Sequence, residues 1–177
     1  MDKRKEANLL VKRKITSALF SLMRAKSLAD IHITEIIREA GVARVSFYRN
    51  YASKEDVLVT LIRDVLDDFR THLHHEHENF YTYENMLLSF RYFEQYRGYI
   101  LDLCHSGFSS VLLEELNHFH EGIAGNMPAS SVQKYELYLY IGALFNTAVM
   151  WLLEEPRCSA EAVSAYFFDS ISRALNR

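Results

Sequence analysis

The chain has 177 residues, of which 49% are hydrophobic and 13% aromatic, and this composition excludes a globally disordered protein. Only six glycines and two prolines occur, so long stretches lack the turn residues that an all-β chain needs, and an all-α fold is predicted. The net charge of −3 is unevenly distributed. Residues 1–54 contain 12 Lys and Arg against 5 Asp and Glu, whereas residues 55–177 contain 8 against 18. A basic segment followed by an acidic one favours a polyanion-binding module joined to a part with another task.

The first predicted helix covers about residues 5–25, where apolar residues recur close to helical spacing. After a break, the segment ITEIIREAG predicts a very short helix that Thr34 caps and Gly41 ends. A second short helix follows over about residues 44–51. Two short helices around a glycine-containing turn in a basic region indicate a helix-turn-helix.

A long helix is predicted to begin at Lys54 and to continue through Phe69. The preceding Ser53 is a suitable N-cap residue, and an acidic residue stands at the third helical position, as in a capping box. The boundary between the basic part of the chain, residues 1–54, and the acidic part, residues 55–177, is therefore expected inside this helix, and the two parts are expected to be packed rather than flexibly linked.

Four further helices are predicted in the acidic part of the chain. They cover about residues 81–103, 107–121, 131–154 and 159–174. Pro156 stops the third of these helices, and Ser159 can cap the fourth.

The second short helix has two different faces. At about 100° per residue, Phe47 and Tyr51 lie on one face and are predicted to pack inward. The residues predicted to point outward or to flank the outward face are Val45, Ser46, Tyr48, Arg49 and Asn50. Arginine can donate to guanine edges or phosphates, and an exposed valine can contact a thymine methyl group, so this face suits DNA. The alternative is a generic helical hairpin.

At this point the segment ITEIIREAGVARVSFYRNYASKEDVL resembles the N-terminal signature of the TetR (TetR/AcrR-type) family of bacterial transcriptional regulators. The resemblance covers about residues 8–62 and implies a three-helix DNA-binding head followed by a larger helical domain. It also implies DNA-backbone contacts by Thr34, Tyr48, Asn50 and Lys54, and major-groove contacts by Arg44, Val45, Ser46 and Arg49. Ala43 stands where a capping Ser or Thr is common in the family, which predicts a less well capped recognition helix.

Residues 55–177 hold 19 aromatic side chains, which are expected to form a core and a subunit interface. In TetR-like proteins this region both dimerises and holds a ligand pocket, and the last two helices pair into a four-helix bundle. The residues predicted for that seam are Leu137, Ile141, Leu144, Phe145, Ala148, Val163, Phe167 and Ile171. The residues predicted for an effector pocket, whose walls should be aromatic with a few polar groups, are Tyr96, Tyr99, His105, Phe108, Asn146 and Trp151.

Two features leave the controlling signal open. The acidic part is similar to regulators of dihydroxyacetone kinase operons, a subgroup of the family, which implies that a partner protein could be the effector. The run from His72 to His77 could bind zinc, although a solvated helix end is the simpler interpretation and no metal site is predicted.

Several classes of protein are disfavoured. The chain has no nucleophile elbow, P-loop, dinucleotide fingerprint or H-E-x-x-H motif, so neither an enzyme nor a cofactor is expected. The two cysteines are isolated, the first residues are charged, and no apolar run approaching about 20 residues is evident, so a reduced cytoplasmic protein is expected. Three hypotheses remain: a ligand-released dimeric repressor, a metal-responsive regulator, and a regulator controlled by a partner protein, which could activate transcription.

Overall fold

The computed structural model describes residues 3–73, 81–124 and 133–175, and these residues form nine α-helices and no strand. The predicted all-α class, with a DNA-binding head before a larger helical part, is confirmed. The chain separates into two compact units, Met1–Asp64 and Val65–Arg177. The division between the units falls within the fourth helix, further along the chain than the predicted domain boundary at residue 54.

The first unit contains three complete helices and the beginning of a fourth. These are α1 (Lys3–Ala25), α2 (Ile33–Ala40), α3 (Arg44–Asn50) and α4 (Lys54–Thr71), with a 3-10 turn at Leu28–Asp30 between α1 and α2. Helices α1, α2 and α3 pack against one another. Fully buried side chains come from all four helices, among them Leu19, Ile36, Phe47 and Leu58, and burial of such side chains stabilises the unit by about 1.5–3 kcal/mol each.

The turn between α2 and α3 depends on Gly41. This glycine has a φ of 60°, a left-handed conformation that costs other residues energy because of their Cβ atoms. Its N–H donates to the carbonyl of Arg38, and the N–H of Val42 donates to that of Ile37, so the last carbonyls of α2 have partners. The predicted end of α2 at Gly41 is confirmed.

The start of α2 differs from the prediction. His32 is the N-cap residue, with extended backbone, and Thr34 occupies the second helical position, so the prediction that Thr34 caps the helix is wrong. The Glu35 carboxylate accepts the N–H of His32 at 3.0 Å, which is the side-chain half of a capping box. Thr34 is exposed and does not serve the helix start.

The start of α4 confirms the prediction. The Ser53 hydroxyl accepts the N–H of Asp56 at 3.1 Å, and the Asp56 carboxylate accepts the N–H of Ala52 at 2.8 Å. The acidic residue therefore reaches one residue further back than in the standard capping box. Ala43, at the N-cap of α3, makes no side-chain cap, as expected.

The second unit contains five helices. They are α5 (Tyr83–Gln95), α6 (Arg97–His105), α7 (Ser109–Ala124), α8 (Gln133–Leu153) and α9 (Ala160–Leu175). Helix α5 packs on α8 and α9, and α8 also packs on α6 and α7. The predicted cap at Ser159 is confirmed, because its hydroxyl accepts the N–H of Ala162 at 3.2 Å.

The single helix predicted over residues 81–103 is in fact two helices. Tyr96 leaves the helical conformation, with ψ at 16°, and separates α5 from α6. The next residue, Arg97, donates from Nε to the carbonyl of Leu152 at 2.9 Å and from its terminal nitrogen to Glu155 at 2.9 Å. These contacts with the end of α8 are tertiary, so the local apolar pattern could not indicate the break.

The predicted dimer seam lies in the protomer's own core. All of the predicted seam residues except the half-buried Phe145 are buried within the single chain, namely Leu137, Ile141, Leu144, Ala148, Val163, Phe167 and Ile171. Phe167, for example, lies 5.7 Å from Phe90 of α5, measured between ring centroids. The choice of these side chains for a subunit interface is therefore corrected: α5 packs on α9, and α5, α6 and α7 pack on α8, within the same chain.

Helix α8 is apolar on more than one side. Among the described residues, Lys134–Leu153 is one helix long and apolar enough to cross a membrane by length and composition, with a mean hydropathy of 1.4 and 39% of that window buried. The expectation that no apolar stretch approaches this length is wrong for α8. One face of the helix belongs to the core of the second unit, and the other is exposed.

Candidate nucleic-acid interface

Helix α3 has one buried and one exposed face, as predicted. Phe47 is 0% exposed and Tyr51 4% exposed, and their rings pack with centroids 5.9 Å apart. Burial raises the pKa of Tyr51, against a smaller opposite effect of its hydrogen bond with Thr16 of α1. These two rings anchor the short helix on the rest of the first unit.

The opposite face of α3 is open to solvent. Val45 is 63% exposed and Tyr48 48% exposed, Arg44 and Arg49 are also exposed, and Ser46 is half-buried. Within residues 3–73, 81–124 and 133–175, neither guanidinium has a hydrogen-bond or ion-pair partner. The arginines therefore keep their donors available for a partner outside the chain.

Arg44 and Tyr48 are in contact on this face. The guanidinium carbon of Arg44 lies over the Tyr48 ring, 5.4 Å from its centroid. The edge of the Tyr48 ring in turn meets Phe47 at a centroid distance of 5.4 Å and an interplanar angle of 77°. The exposed cation therefore rests on an aromatic ring that contacts the buried anchor.

Asn50 is partly engaged by its own helix. Its Nδ2 donates to the carbonyl of Ser46 at 2.8 Å, and the side chain is half-buried. One amide N–H is therefore directed back along α3, and the predicted backbone contact by this residue would depend on its remaining polar atoms.

The amino termini of α2 and α4 border one open groove of about 410 Å³. Its lining residues are Ile31, His32, Ile33, Thr34, Ser53, Lys54 and Glu55. The first N–H groups of a helix have no partner inside the helix and carry partial positive charge, so two helix starts at one groove suit an anionic group. Thr34 adds an exposed hydroxyl, whereas Glu55 adds a negative charge.

Lys54 lies beside this groove, but its ammonium group binds the protein itself. Nζ donates to the carbonyls of Leu28, Ala29 and Ile31, at 2.6, 3.0 and 2.9 Å. An ammonium group has three N–H donors, so these contacts use all of them. In this structure Lys54 joins the start of α4 to the 3-10 turn before α2, instead of pointing a free charge outward as a phosphate anchor would.

A second lysine braces the same connection. Lys26 Nζ lies 2.8 Å from both carboxylate oxygens of Glu35 and 3.0 Å from the carbonyl of Asp30. The hydrogen bond from Lys26, together with that from the N–H of His32, lowers the pKa of Glu35. The segment between α1 and α2 is thus held by two cations, and the start of α2 is held with it.

The residues predicted for an effector pocket do not share one environment. Trp151 is buried, its indole N–H donates to the carbonyl of Cys158 at 2.9 Å, and Arg157 covers its ring. His105 and Asn146 are exposed. Tyr96, Tyr99 and Phe108 are half-buried, and Tyr96 marks the break between α5 and α6.

Sequence reasoning missed a set of buried polar side chains in the second unit. Asn85 is 0% exposed, and Glu115 and His120 of α7 are also buried. Burial lowers the pKa of His120 to about 4, and its Nδ1 lies 2.7 Å from the carbonyl of Leu116. The ring of His120 packs against Tyr140 at a centroid distance of 6.0 Å. The signal for this set would have been polar residues at core positions of α5 and α7.

The histidine run falls mostly outside the described residues. Only His72 of the run is described, and it is exposed, with Nδ1 at 3.1 Å from the Tyr92 hydroxyl. His74, His75 and His77 lie outside the described residues. Within the described part of the chain, no group of three or more His, Cys, Asp or Glu side chains is arranged to hold a metal ion.

A second exposed surface lies on α8 and α9. Its large apolar side chains are Tyr135, Tyr138, Leu139, Met150 and Leu153 of α8, and Tyr166 of α9. At about 100° per residue, the residues on α8 fall within a sector of about 120° around the helix, so they lie along one face. We call this set the α8–α9 stripe. It is a different face from the one predicted for the dimer seam.

Comparison with known proteins adds a family to this geometry. Residues 15–61, which run from within α1 into α4, match the family model of the bacterial regulatory proteins of the tetR family. No curated protein sequence matches the chain significantly.

Solved structures resemble the whole chain. A TetR transcriptional regulator from Streptococcus agalactiae is 20% identical, with a TM-score of 0.64 over 95% of this chain and 97% of that one. The dihydroxyacetone kinase operon activator DhaS is 16% identical, with a TM-score of 0.58 over 95% and 97%. The regulator FadR from Bacillus subtilis, solved with stearoyl-CoA, is 17% identical, with a TM-score of 0.58 over 90% and 96%. At these identities the likeness concerns the fold.

Proposed function

Residues 15–61 form a DNA-binding domain of the tetR family of bacterial regulatory proteins, and from this premise we propose that the chain is a dimeric repressor, released from a palindromic operator when an effector binds its second unit. DNA binding follows from the family match, whereas dimerisation, repression and control by an effector are proposed.

The proposed DNA-binding surface rests on one observation, the exposed face of α3. A valine that is 63% exposed contributes nothing to the core, and two arginines on the same helix have free donors. An α-helix fits the major groove of B-DNA, where arginine binds guanine and a valine methyl group can contact thymine. The proposed base-contacting residues are Arg44, Val45, Ser46 and Arg49.

Backbone contacts are proposed at the edges of this face. The Tyr48 hydroxyl can donate to a phosphate, and the groove between the starts of α2 and α4 offers Thr34 and unpaired helix N–H groups to another. Such contacts hold the register of the protein on the duplex and carry no base preference. Lys54 is assigned a different role, because its three donors already bind carbonyls.

Dimerisation is proposed through the α8–α9 stripe. A helix as short as α3 contacts only a few base pairs, and a two-fold dimer doubles the contact on a palindrome. The occupant of the stripe is therefore a second copy of this chain. The proposed interface thus uses α8 and α9, the helices that the family resemblance implies, but it is formed by their exposed side chains and not by their buried ones.

The effector is proposed to bind in the second unit. This unit buries the polar side chains Asn85, Glu115 and His120, and the His120 ring contacts Phe119 and Tyr140. Sites for small molecules combine apolar walls with a few polar groups of this kind. FadR was solved with stearoyl-CoA, and DhaS is an operon activator. A partner protein as effector, with activation in place of repression, is thus the second candidate, and the similarity in fold to DhaS favours it.

The test is a selection of duplexes from a random-sequence library by the purified protein. Arg49→Ala is expected to weaken binding to the selected duplex and to relax its base preference, by about 1–3 kcal/mol at the base pair concerned. Tyr48→Phe, which removes only the hydroxyl, is expected to weaken binding to all duplexes alike. Arg91→Ala, in the second unit, is the matched control and should leave binding unchanged. Selection of no motif, or normal binding by both α3 variants, would show that the assignment of α3 is wrong.

A further inference from the structure

Arg44 and Tyr48 form a cation–π pair on the exposed face of α3. They are four residues apart, which places their side chains on the same side of the helix. The guanidinium of Arg44 lies 5.4 Å from the centroid of the Tyr48 ring, within the range of a cation–π contact. Arg49, on the same short helix, has no such contact within the described residues.

The ring under Arg44 is held in place from below. Tyr48 meets Phe47 edge to face at 5.4 Å, and Phe47 is 0% exposed. A tyrosine has few rotatable bonds, so one contact with a buried ring strongly restricts its orientation. The position of the guanidinium is therefore linked, through two aromatic rings, to the core of the first unit.

The contact with the ring uses the charge of the guanidinium and none of its N–H donors, which have no hydrogen-bond partner among the described residues. The five N–H donors of arginine lie in the plane of the group, and bidentate binding of guanine O6 and N7 uses two of them along one edge. A guanidinium held against a ring loses less freedom when it forms such a pair. The contact with Tyr48 therefore suits base recognition and leaves the donors available for it.

We propose that Tyr48 is a positioning residue for Arg44, so that its ring contributes to a preference for guanine while its hydroxyl serves the DNA backbone. The inference rests on the proposed function, because it assumes that α3 enters the major groove. The ring and the hydroxyl of Tyr48 thus have separate roles: Tyr48→Phe removes the hydroxyl alone, and comparison of Tyr48→Leu with Tyr48→Phe isolates the ring.

The experiment uses the full-length protein and duplexes selected from a random-sequence library. Arg44→Ala first identifies the base pair at which the preference for guanine falls, by about 5- to 150-fold in relative Kd. Tyr48→Leu is expected to lower the same preference by about 2- to 5-fold, and to lower it no further in the Arg44→Ala background. Tyr48→Phe, which keeps the ring, should retain the preference and weaken binding to all duplexes.

The controls separate positioning from a general loss of structure. Arg49→Ala should change the preference at a different base pair and show no coupling with Tyr48→Leu. Thermal unfolding checks that the variants remain folded, and Tyr48→Phe remains informative if Tyr48→Leu does not fold.

Equal weakening of all duplexes by Tyr48→Leu, with the guanine preference unchanged, would overturn the inference, as would an Arg44→Ala variant with unaltered base preference. In both cases a selected motif would leave the proposed function standing. Failure to select any motif would remove the proposed function and the inference together.

Discussion

At the scale of single residues, Lys54 illustrates how a charge near the proposed DNA surface can have partners within the protein. Its ammonium group binds three carbonyls of the segment between α1 and α2. Those carbonyls belong to the 3-10 turn and to the residue that ends it, and the carbonyl of Leu28 also accepts the N–H of Ile31 at 3.2 Å. The lysine therefore stabilises the position of α2 relative to α4, and the groove between their starts depends on it.

This contact predicts the behaviour of Lys54→Met. Loss of the hydrogen bonds to the ammonium group is expected to lower the free energy of unfolding by about 2 kcal/mol, as measured by urea denaturation. DNA affinity should fall, but the slope of log Kd against log salt concentration should not change. A lysine that bound a phosphate would reduce that slope by about 1.

The control for this prediction is Lys14→Met, which removes an exposed positive charge of α1 and should leave the free energy of unfolding nearly unchanged. A Lys54→Met variant of normal stability with a reduced salt slope would restore the phosphate-anchor interpretation.

At the scale of elements, the helix-turn-helix depends on a backbone conformation more than on side-chain contacts. Gly41 has a φ of 60°, and a Cβ atom added there would meet no heavy atom within 4 Å. Glycine is therefore needed at this position for its backbone conformation, and not because a Cβ atom would clash with a neighbouring residue. The turn sets the direction of α3, so the position of the exposed arginines follows from this residue.

Gly41→Ala is accordingly expected to lower the free energy of unfolding by about 1–2 kcal/mol, the cost of a left-handed conformation for a residue with a Cβ atom. Gly122→Ala is the matched control: this glycine lies within α7, with no heavy atom within 4 Å of an added Cβ, and alanine should stabilise the helix by up to about 1 kcal/mol. Chemical denaturation of the two variants should give shifts of opposite sign. A neutral Gly41→Ala would contradict the conformational explanation.

At the same scale, some helix ends could be predicted from the sequence and others could not. The two groups differ in how far apart in the chain the interacting residues lie. Ser53, Ser159 and Gly41 act on residues within four positions in the chain, so their effects could be predicted from the sequence. The break at Tyr96 was not predicted; it accompanies a contact of Arg97 with Leu152, which lies 55 residues away in the chain.

At the scale of the whole molecule, the proposed repressor needs a second copy of the chain, and the exposed α8–α9 stripe is the surface available for it. Single exposed apolar residues are common on proteins, but a stripe of large ones marks an interaction site. The stripe also explains why α8 resembles a membrane-spanning helix in composition: it needs apolar residues on two faces.

Introducing charge into the stripe tests this interface. Leu139 and Met150 are 56% and 55% exposed, so Leu139→Glu with Met150→Glu should leave the protomer folded. Self-association should weaken by at least about tenfold, because burying an unpaired carboxylate costs several kcal/mol. Sedimentation equilibrium measures this change, and operator affinity should fall with it.

Gln95→Glu, at the exposed end of α5, is the control for added negative charge and should not affect assembly. An unchanged dimer in the double variant would place the interface elsewhere, and a monomeric unmodified protein would refute the dimer itself.

The sequence by itself determined the helical class, the helix-turn-helix and the two faces of α3, because each depends on periodicity and on caps within a few residues. Only the tertiary structure decided which face of α8 is buried, where α5 gives way to α6, and what Lys54 binds. Helix α8 is apolar around most of its circumference, so its pattern cannot choose a face. That choice belongs to the helices packed on α8, namely α5, α6, α7 and α9, which cover one side of it and leave the other exposed.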